Sequence, residues 1–232
     1  MKGLLGLIRQ TPPATAGGDN PDTFFFSTAF ADQGIDASSM VPWEARANEV
    51  GAKRLTAGRG GKLLEELWSR DNFMARLGPH ALLRLEKYLD FATLPANRDV
   101  IRQDEYGNFM LVLLSGSIAV DREQPWSDRL HLTEARPGDI LGEMSLLDSG
   151  PRFSVCTSLT DCEIAVLSAQ ALDEMMTADP ALAASLIALL ARKLSRRMRV
   201  VSARLSEIKS GSGTASSADK IPRRTHGTRS GQ

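Results

Sequence analysis

One acidic and one basic side chain, Glu143 and Arg152, stand nine residues apart in the segment GEMSLLDSGPRFSV. A carboxylate accepts hydrogen bonds, and a guanidinium donates charge-assisted, often bidentate, hydrogen bonds to anions. An acid beside a permanent cation does not resemble the two carboxylates with separated pKa values that acid–base catalysis uses. Two interpretations are open at this point: the two side chains bind a polar ligand, or they pair only with each other.

Other chemistry-bearing residues are too scattered to form a catalytic or metal site. The three histidines, His80, His131 and His226, lie far apart in sequence, and we expect His131 to face solvent from a strand. Cys156 and Cys162 are six residues apart, a poor spacing for zinc, and are expected to be buried thiols in a reducing cytoplasm. Neither G-x-S-x-G nor a P-loop occurs. We therefore predict no catalysis, no metal and no cofactor.

Short strands separated by turns surround the acid and the base. After Leu94 and Pro95 the apolar pattern alternates with period two. Strands are predicted at residues 97–103, 108–114, 118–120, 129–133, 153–159 and 162–167. Strands with turns at intervals of about 8–12 residues favour an antiparallel β-roll.

Helices are predicted on both sides of this roll. Amphipathic patterns cover residues 62–77, with Leu63 and Leu67 on one side, and residues 78–91. Ser168 is a good N-cap for a helix after the roll, and Pro180 begins a long helix. The predicted fold class is therefore α+β: an antiparallel, jelly-roll-like β-roll flanked by helices, with a long C-terminal helix.

The long helix carries a heptad-like apolar seam. Alternating spacings of four and three join its seven apolar positions, which are Ile187, Ala191, Leu194, Met198, Val201, Leu205 and Ile208. Such a seam packs either on its own domain or on a second copy, and its length and basic flanks favour a parallel homodimer.

The ends of the chain have a different composition. Residues 1–61 are rich in Gly, Pro, Thr and Ala and are predicted to be a largely disordered extension. Within them FFFSTAF, from Phe24 to Phe30, either packs on the domain surface or docks a protein partner. Residues 62–180 are predicted to form the roll with its N-terminal helices, residues 181–209 the dimerisation helix, and residues 210–232 a disordered basic tail.

Charge is unevenly distributed along the chain. Residues 192–232 hold eleven Lys and Arg against two acids, a net of +9, so the remainder carries −9. A basic end suits nucleic acid, an anionic membrane, an acidic partner, or simply solvent. No apolar run approaches the ~18 residues that span a bilayer. The apolar run GLLGLI near the start is shorter than the ~7–15 residues of a signal-peptide core, so we expect no signal peptide and a cytoplasmic protein.

The ordered set of motifs resembles the cyclic-nucleotide-binding domain of bacterial cyclic-AMP receptor proteins, protein kinase A regulatory subunits and cyclic-nucleotide-gated channels. The segments that carry the resemblance are LLSGSI (113–118), PGDILGEMSLL (137–147), Pro151-Arg152 and TDCE (160–163). It covers about residues 77–208. The resemblance implies that the ligand is cyclic AMP or another cyclic nucleotide and that the protein is a regulatory sensor.

Roles for individual residues follow from this resemblance. Glu143 would accept from the ribose hydroxyl, and Arg152 would pair with the cyclic phosphate. The turn after Gly142 would direct its first N–H groups at the phosphate. The full set of implied ligand-binding residues is Gly142, Glu143, Met144, Ser145, Arg152, Phe153 and Ser154.

Three departures from the family pattern affect the ligand and the output. Phe153 stands where the family has a small residue, and it either fills or caps the pocket. Arg197 and Met198 stand where the bacterial receptor has a Thr-Ser pair that contacts adenine. The transcription factors of this family continue into a helix-turn-helix domain, and the Ser/Gly-rich residues after Lys209 are not expected to form one. Two alternatives stay open: a ligand-free roll that acts as a protein-interaction scaffold, or a transcriptional regulator that contacts DNA without sequence specificity through its basic C-terminus.

Overall fold

The computed structural model describes residues 24–213, without the side chains of residues 37, 127, 128, 204, 205 and 207–213. The strands are β1 (Lys53–Arg54), β2 (Asp90–Leu94), β3 (Asp99–Ile101), β4 (Phe109–Ser115), β5 (Ile118–Gln124), β6 (Ser127–Ala135), β7 (Ile140–Leu141), β8 (Val155–Ser158) and β9 (Cys162–Ser168). They form a five-stranded sheet in the order β1-β2-β9-β4-β7 and a four-stranded sheet in the order β3-β8-β5-β6. All the strand pairs are antiparallel. The predicted antiparallel β-roll is therefore confirmed.

The helices are α1 (Phe25–Asp32), α2 (Trp43–Val50), α3 (Ala57–Arg70), α4 (Gly78–Leu85), α5 (Glu143–Asp148), α6 (Ala169–Ala178) and α7 (Pro180–Gly213). Short 3-10 turns add Ala37–Ser39, Met74–Leu77 and Glu86–Tyr88. The order of helices, roll and helices, with a long final helix, agrees with the predicted fold class.

Strand β4 contributes side chains both to the core inside the roll and to the core under the helices. Its side chains alternate between two apolar clusters because successive residues of a strand face opposite sides of a sheet. Phe109, Leu111 and Leu113 join the inner cluster, between the two sheets. Met110, Val112 and Leu114 join the outer cluster, which the helices cover. Six consecutive apolar residues are buried as a result.

The expected disorder of residues 1–61 is wrong for residues 24–61. Residues 25–32 and 43–50 are helical, and Phe26, Phe30 and Trp43 are at most 5% exposed. Burial of large aromatic side chains stabilises these short helices, whose sequences alone would not. Residues 1–23 lie outside the described residues.

A second correction concerns the glycine-rich segment that precedes residue 62. Helix α3 begins at Ala57 and includes Gly60 and Gly61, both buried. A Cβ atom at Gly60 would collide with the Phe91 ring, and one at Gly61 would collide with the Glu86 carboxylate. These glycines therefore allow close packing of α3 on β2 and on the 3-10 turn that precedes β2. The buried face of α3 consists of Leu64 and Trp68, whereas Leu63 and Leu67 are half-buried.

The helix predicted over residues 78–91 ends early. Helix α4 stops at Leu85, a 3-10 turn follows, and β2 begins at Asp90. Strand β2 pairs with β9 along its whole length, from Asp90 opposite Val166 to Leu94 opposite Cys162. The sheet partner, which a local pattern does not show, decides where the helix gives way to a strand.

Residues 24–30 pack on their own domain. Phe26 and Phe30 are buried, whereas Phe24 and Phe25 are about half exposed. The carboxylate of Asp173, in α6, accepts hydrogen bonds from Phe26 N (2.9 Å), Ser27 N (2.8 Å) and Ser27 Oγ (2.7 Å). It thereby satisfies the free N–H groups at the start of α1. Of the two interpretations of FFFSTAF, the structure shows packing on the domain; a protein partner at the two exposed rings stays a prediction.

Helix α7 begins at Pro180, as predicted, and belongs to two compact units that divide after Leu190. In the first unit, Leu182, Ala183, Leu186, Leu189 and Leu190 are buried in the outer cluster, and Ile187 packs against it. In the second unit, Met198 and Val201 are 69% and 52% exposed. The side chains of Leu205 and Ile208 lie outside the described residues, and the dimer stays a prediction.

Candidate functional site

The backbone of Arg152 is fixed on the connection between β3 and β4. Arg152 N donates to Glu105 O (2.8 Å), and Asp104 N donates to Arg152 O (2.9 Å). Two reciprocal hydrogen bonds set the position and direction of this residue before β8 begins. The guanidinium consequently points into the roll rather than to solvent.

The Arg152 side chain is buried, with 3% of its surface exposed. Its Nη1 donates to Gly142 O (2.8 Å), and its Nη2 donates to Phe109 O (2.6 Å). The guanidinium carbon also lies 4.6 Å from the centre of the Phe109 ring, which is a cation–π distance. One side chain thus links the start of α5 to the start of β4.

Two glycines leave room for this guanidinium. Gly142 has a φ of +77°, and a Cβ there would lie 2.6 Å from Arg152 Nη1. A Cβ on Gly107 would lie 2.6 Å from Arg152 Nη2. Gly142 was predicted as a site residue. Gly107 was not, because only the folded structure brings its backbone against a side chain 45 positions later.

The segment after Gly142 folds as predicted into a short helix, α5. Glu143 and Ser145 are buried, at 6% and 2% exposure, and Leu146 anchors the helix in the outer cluster. Met144 is 41% exposed. The carboxyl of Glu143 and the guanidinium of Arg152 are therefore both held inside the protein, at the two ends of one loop.

Burial dominates the electrostatics of Arg152. Burial lowers the pKa of Arg152 to about 10; the nearby Arg46 contributes to this lowering, whereas Cys156, Glu105 and Glu143 oppose it. The guanidinium stays protonated at neutral pH. Because the guanidinium is removed from water, its attraction to an anion that approaches it is stronger than at an exposed position.

Arg46, in α2, is a second buried guanidinium beside this site. It is 1% exposed, its Nη1 donates to Glu49 Oε2 (2.6 Å), and its Nη2 pairs with the Glu105 carboxylate. Arg102 also pairs with Glu49, so four charges form one network. Nothing in the sequence marks Arg46 as a site residue, because WEARANEV has the composition of a solvent-exposed helix.

Phe153 and Ser154 lie at the edge of the site. The Phe153 ring is 51% exposed, so it does not fill the interior of the roll. The Arg122 guanidinium lies 4.1 Å from the ring centre, and its Nη1 donates to Phe153 O (2.6 Å). Ser154 is half-buried, with its Oγ 4.0 Å from Cys156 Sγ. All seven predicted site residues therefore lie at the start of α5 or in the segment that leads into β8.

Beyond the seven predicted site residues, the described part of the chain contains a separate cleft but no metal cluster. A cleft of about 480 Å³ lies between β1, β2 and β9, and its lining includes none of the seven predicted site residues. Between residues 24 and 213, no cluster of His, Cys, Asp and Glu has metal-site geometry. His131 is exposed and contacts Asp121, and Cys156 and Cys162 are both buried. No helix within that range is both long and apolar enough to cross a bilayer.

Comparison with known proteins gives a consistent result. Residues 91–179 match the model of the cyclic nucleotide-binding domain family. The chain is 29% identical over 133 residues to a CRP-like cAMP-activated global transcriptional regulator of Mycobacterium tuberculosis, covering 57% of this chain and 59% of that protein. It is 28% identical over 118 residues to the cyclic AMP receptor protein of Thermus thermophilus, covering 51% of this chain and 55% of that protein.

The fold comparison agrees. A crystal structure of a cyclic nucleotide-binding domain from Methylobacillus flagellatus superimposes with a TM-score of 0.61 at 22% identity, covering 67% of this chain and 88% of that one. The chain spans less than two thirds of the length of these two curated relatives. The resemblance predicted from residues 113–163 is confirmed for the domain.

Proposed function

Since residues 91–179 belong to the cyclic nucleotide-binding domain family, we propose that this protein is a cytoplasmic sensor that binds a cyclic nucleotide at Arg152 and Glu143. The single observation that carries this proposal is the Arg152 guanidinium, buried to 3% exposure and hydrogen-bonded to two backbone carbonyls. A carbonyl is a neutral acceptor. A buried cation next to such acceptors gains more from an anion.

The two ends of a cyclic nucleotide fit the two charged groups. Arg152 donates to the oxygens of the cyclic phosphate, and Glu143 accepts from the ribose hydroxyl. Gly142 and Ser145 add backbone N–H groups at the start of α5, and Ser154 adds a hydroxyl from the facing side. Met144 and Phe153, both about half exposed, supply apolar contacts at the rim.

The output of such a sensor passes through its helices. The relatives from Mycobacterium tuberculosis and Thermus thermophilus are named for cyclic AMP, and the first is a transcriptional regulator. In this chain the exposed apolar residues Met198, Val200 and Val201 of α7 support a homodimer. Ligand binding changes the dimer only if the nucleotide has different affinities for the two states of the protein.

A second candidate function is contact with DNA. The net charge of +9 over residues 192–232 supports binding to phosphates without base recognition. Fluorescence anisotropy with two unrelated duplexes tests it. Equal affinities that fall steeply between 50 and 200 mM salt, on the order of 10³-fold for six phosphate contacts, support this function, and no binding at 50 mM salt excludes it.

Thermal unfolding with cyclic AMP, cyclic GMP and cyclic di-GMP tests the nucleotide site. A ligand at about 100 times its Kd stabilises the protein by about 2.7 kcal/mol, which raises Tm by roughly 2–4 °C per kcal/mol. Arg152→Lys keeps the charge but loses the two-pronged geometry, so the shift should disappear. Arg129→Gln, which removes an exposed arginine paired with Glu123, is the matched control and should keep it. If no nucleotide shifts Tm, the ligand-free scaffold replaces the sensor.

A further inference from the structure

One face of helix α2 packs against the interior of the roll. Trp43, Ala47 and Val50, on one face of α2, belong to the same buried cluster as the inward residues of both sheets. The Trp43 ring packs edge-on against Phe109, with 5.6 Å between the ring centres. A segment from outside residues 91–179 thus completes the inner core of the domain.

Polar contacts also hold α2 to the connection between β3 and β4. Arg46 pairs with Glu105, and Glu49 pairs with Arg102. Just before the helix, Val41 N donates to Tyr106 O (2.8 Å). Arg46 Nε is buried and has no hydrogen-bond partner among the residues that the structure describes. An unsatisfied buried donor has a cost, so the docked position of Arg46 is less stable than a fully satisfied one.

Two residues contact both α2 and the proposed nucleotide site. Phe109 packs on Trp43 through its ring and accepts from Arg152 through its carbonyl oxygen. Glu105 pairs with Arg46 through its carboxylate and accepts from Arg152 N through its carbonyl oxygen. Movement of α2 therefore changes the surroundings of Arg152 directly.

Access to the site requires some element to move, because Glu143 and Arg152 are both at least 94% buried. The strands around them are fixed by sheet hydrogen bonds. Helix α2 lies outside both sheets and is held by apolar contacts and by glutamates that are 29% and 42% exposed. Elements held mainly by side chains open more readily than paired strands.

We propose that α2 is an intramolecular competitor of the nucleotide: it closes the roll while the site is empty and leaves when the nucleotide enters. This proposal rests on the proposed function of Arg152 and Glu143. A closed state of this kind lowers the apparent affinity by the fraction of molecules that are open. Weakening the contacts of α2 therefore strengthens nucleotide binding, although no substituted residue needs to touch the nucleotide.

Two variants and a control test the proposal in the full chain. Glu49→Gln, at a half-exposed position, removes one charge from each of two ion pairs without disturbing the core. Arg46→Gln removes the buried guanidinium. Arg59→Gln removes the ion pair between Arg59 and Glu163, elsewhere in the N-terminal region, and is the matched control. Circular dichroism and Tm show that each protein is folded.

The Kd of cyclic AMP, cyclic GMP and cyclic di-GMP is measured by calorimetry, and hydrogen exchange of the amides in residues 47–50 is followed with and without nucleotide. We expect Kd to fall about tenfold or more in Arg46→Gln, which corresponds to about 1.4 kcal/mol, and to fall less in Glu49→Gln. Arg59→Gln should match the wild type. In the wild type, a bound nucleotide should speed exchange in α2.

The outcomes separate this proposal from the one it rests on. Unchanged Kd values together with unchanged exchange in α2, in a protein that binds a nucleotide, overturn the competition and leave the nucleotide site in place. Binding by the folded Arg46→Gln protein, but not by the wild type, supports both. Binding by none of the folded proteins overturns both.

Discussion

Gly107→Ala tests whether the guanidinium of Arg152 lies where the structure places it. The new methyl carbon would lie 2.6 Å from Arg152 Nη2 and 2.8 Å from Nε, whereas ordinary contact begins at 3.4 Å. The side chain must therefore retreat by about 0.8 Å, the difference between 3.4 and 2.6 Å. The φ of Gly107 is outside the left-handed region, so alanine itself fits the backbone.

This retreat acts on the hydrogen bond from Arg152 Nη2 to Phe109 O. A bond of 2.6 Å that lengthens by that amount is largely lost. A hydrogen bond to a charged group contributes about 1.5–3 kcal/mol, so Tm should fall by roughly 2–4 °C for each kcal/mol. The nucleotide Kd should rise about 10-fold to 100-fold, because the displaced guanidinium no longer meets the phosphate squarely.

Differential scanning fluorimetry and calorimetry measure the two quantities. Gly58→Ala is the control, since a Cβ at Gly58, in α3, meets no atom within 4 Å. Alanine there should be neutral or stabilise the helix by up to about 1 kcal/mol. If Gly107→Ala keeps both the Tm and the Kd of the wild type, the placement of Arg152 against Gly107 is wrong.

Three further predictions concern other parts of the described chain. Asp173→Asn should destabilise the protein by about 1–3 kcal/mol in urea unfolding, because one carboxylate accepts from three donors there. The segment around Phe26 should also become more sensitive to protease, and equal protease resistance in both proteins would contradict this. Burial raises the pKa of the Cys162 thiol, so its alkylation at pH 8 should be slower than that of the amino acid cysteine. The stability that the neutral thiol contributes should be lost as pH rises through the raised pKa. An alkylation rate equal to that of cysteine would refute this. Phe153→Ala should change the free energy of unfolding by only about 0.5–1 kcal/mol, since the exposed ring loses little beyond its contact with Arg122; a loss above about 2 kcal/mol would show a buried role.

Much of the roll was predictable because its information is local. The apolar run at residues 108–114 predicted β4, and the short apolar stretches at residues 153–159 and 162–167 predicted β8 and β9. The short loop that carries both Glu143 and Arg152 was also visible in the sequence, because the two residues are only nine positions apart. These features depend on residues close together in sequence.

The rest depends on partners that are distant in sequence. Arg46 lies in a segment that looks solvent-exposed until Glu105, 59 positions later, approaches it. Helix α4 gives way to β2 without proline or glycine at the boundary, because β9 supplies the hydrogen bonds. The Gly-rich start of α3 looked unstructured, yet Phe91 needs the space that Gly60 leaves. Local patterns cannot show any of these contacts.

The three tryptophans of the chain lie in three different environments, and two of these are the inner and outer clusters that β4 separates. Trp43 lies in the inner cluster, Trp68 lies in the outer cluster, and Trp126, at the β5–β6 hairpin, is 98% exposed. Iodide should therefore quench the emission of Trp126 selectively, and the blue-shifted remainder should come from the two buried rings. Because Trp43 belongs to α2, its emission provides a built-in optical probe of the roll interior that needs no added label.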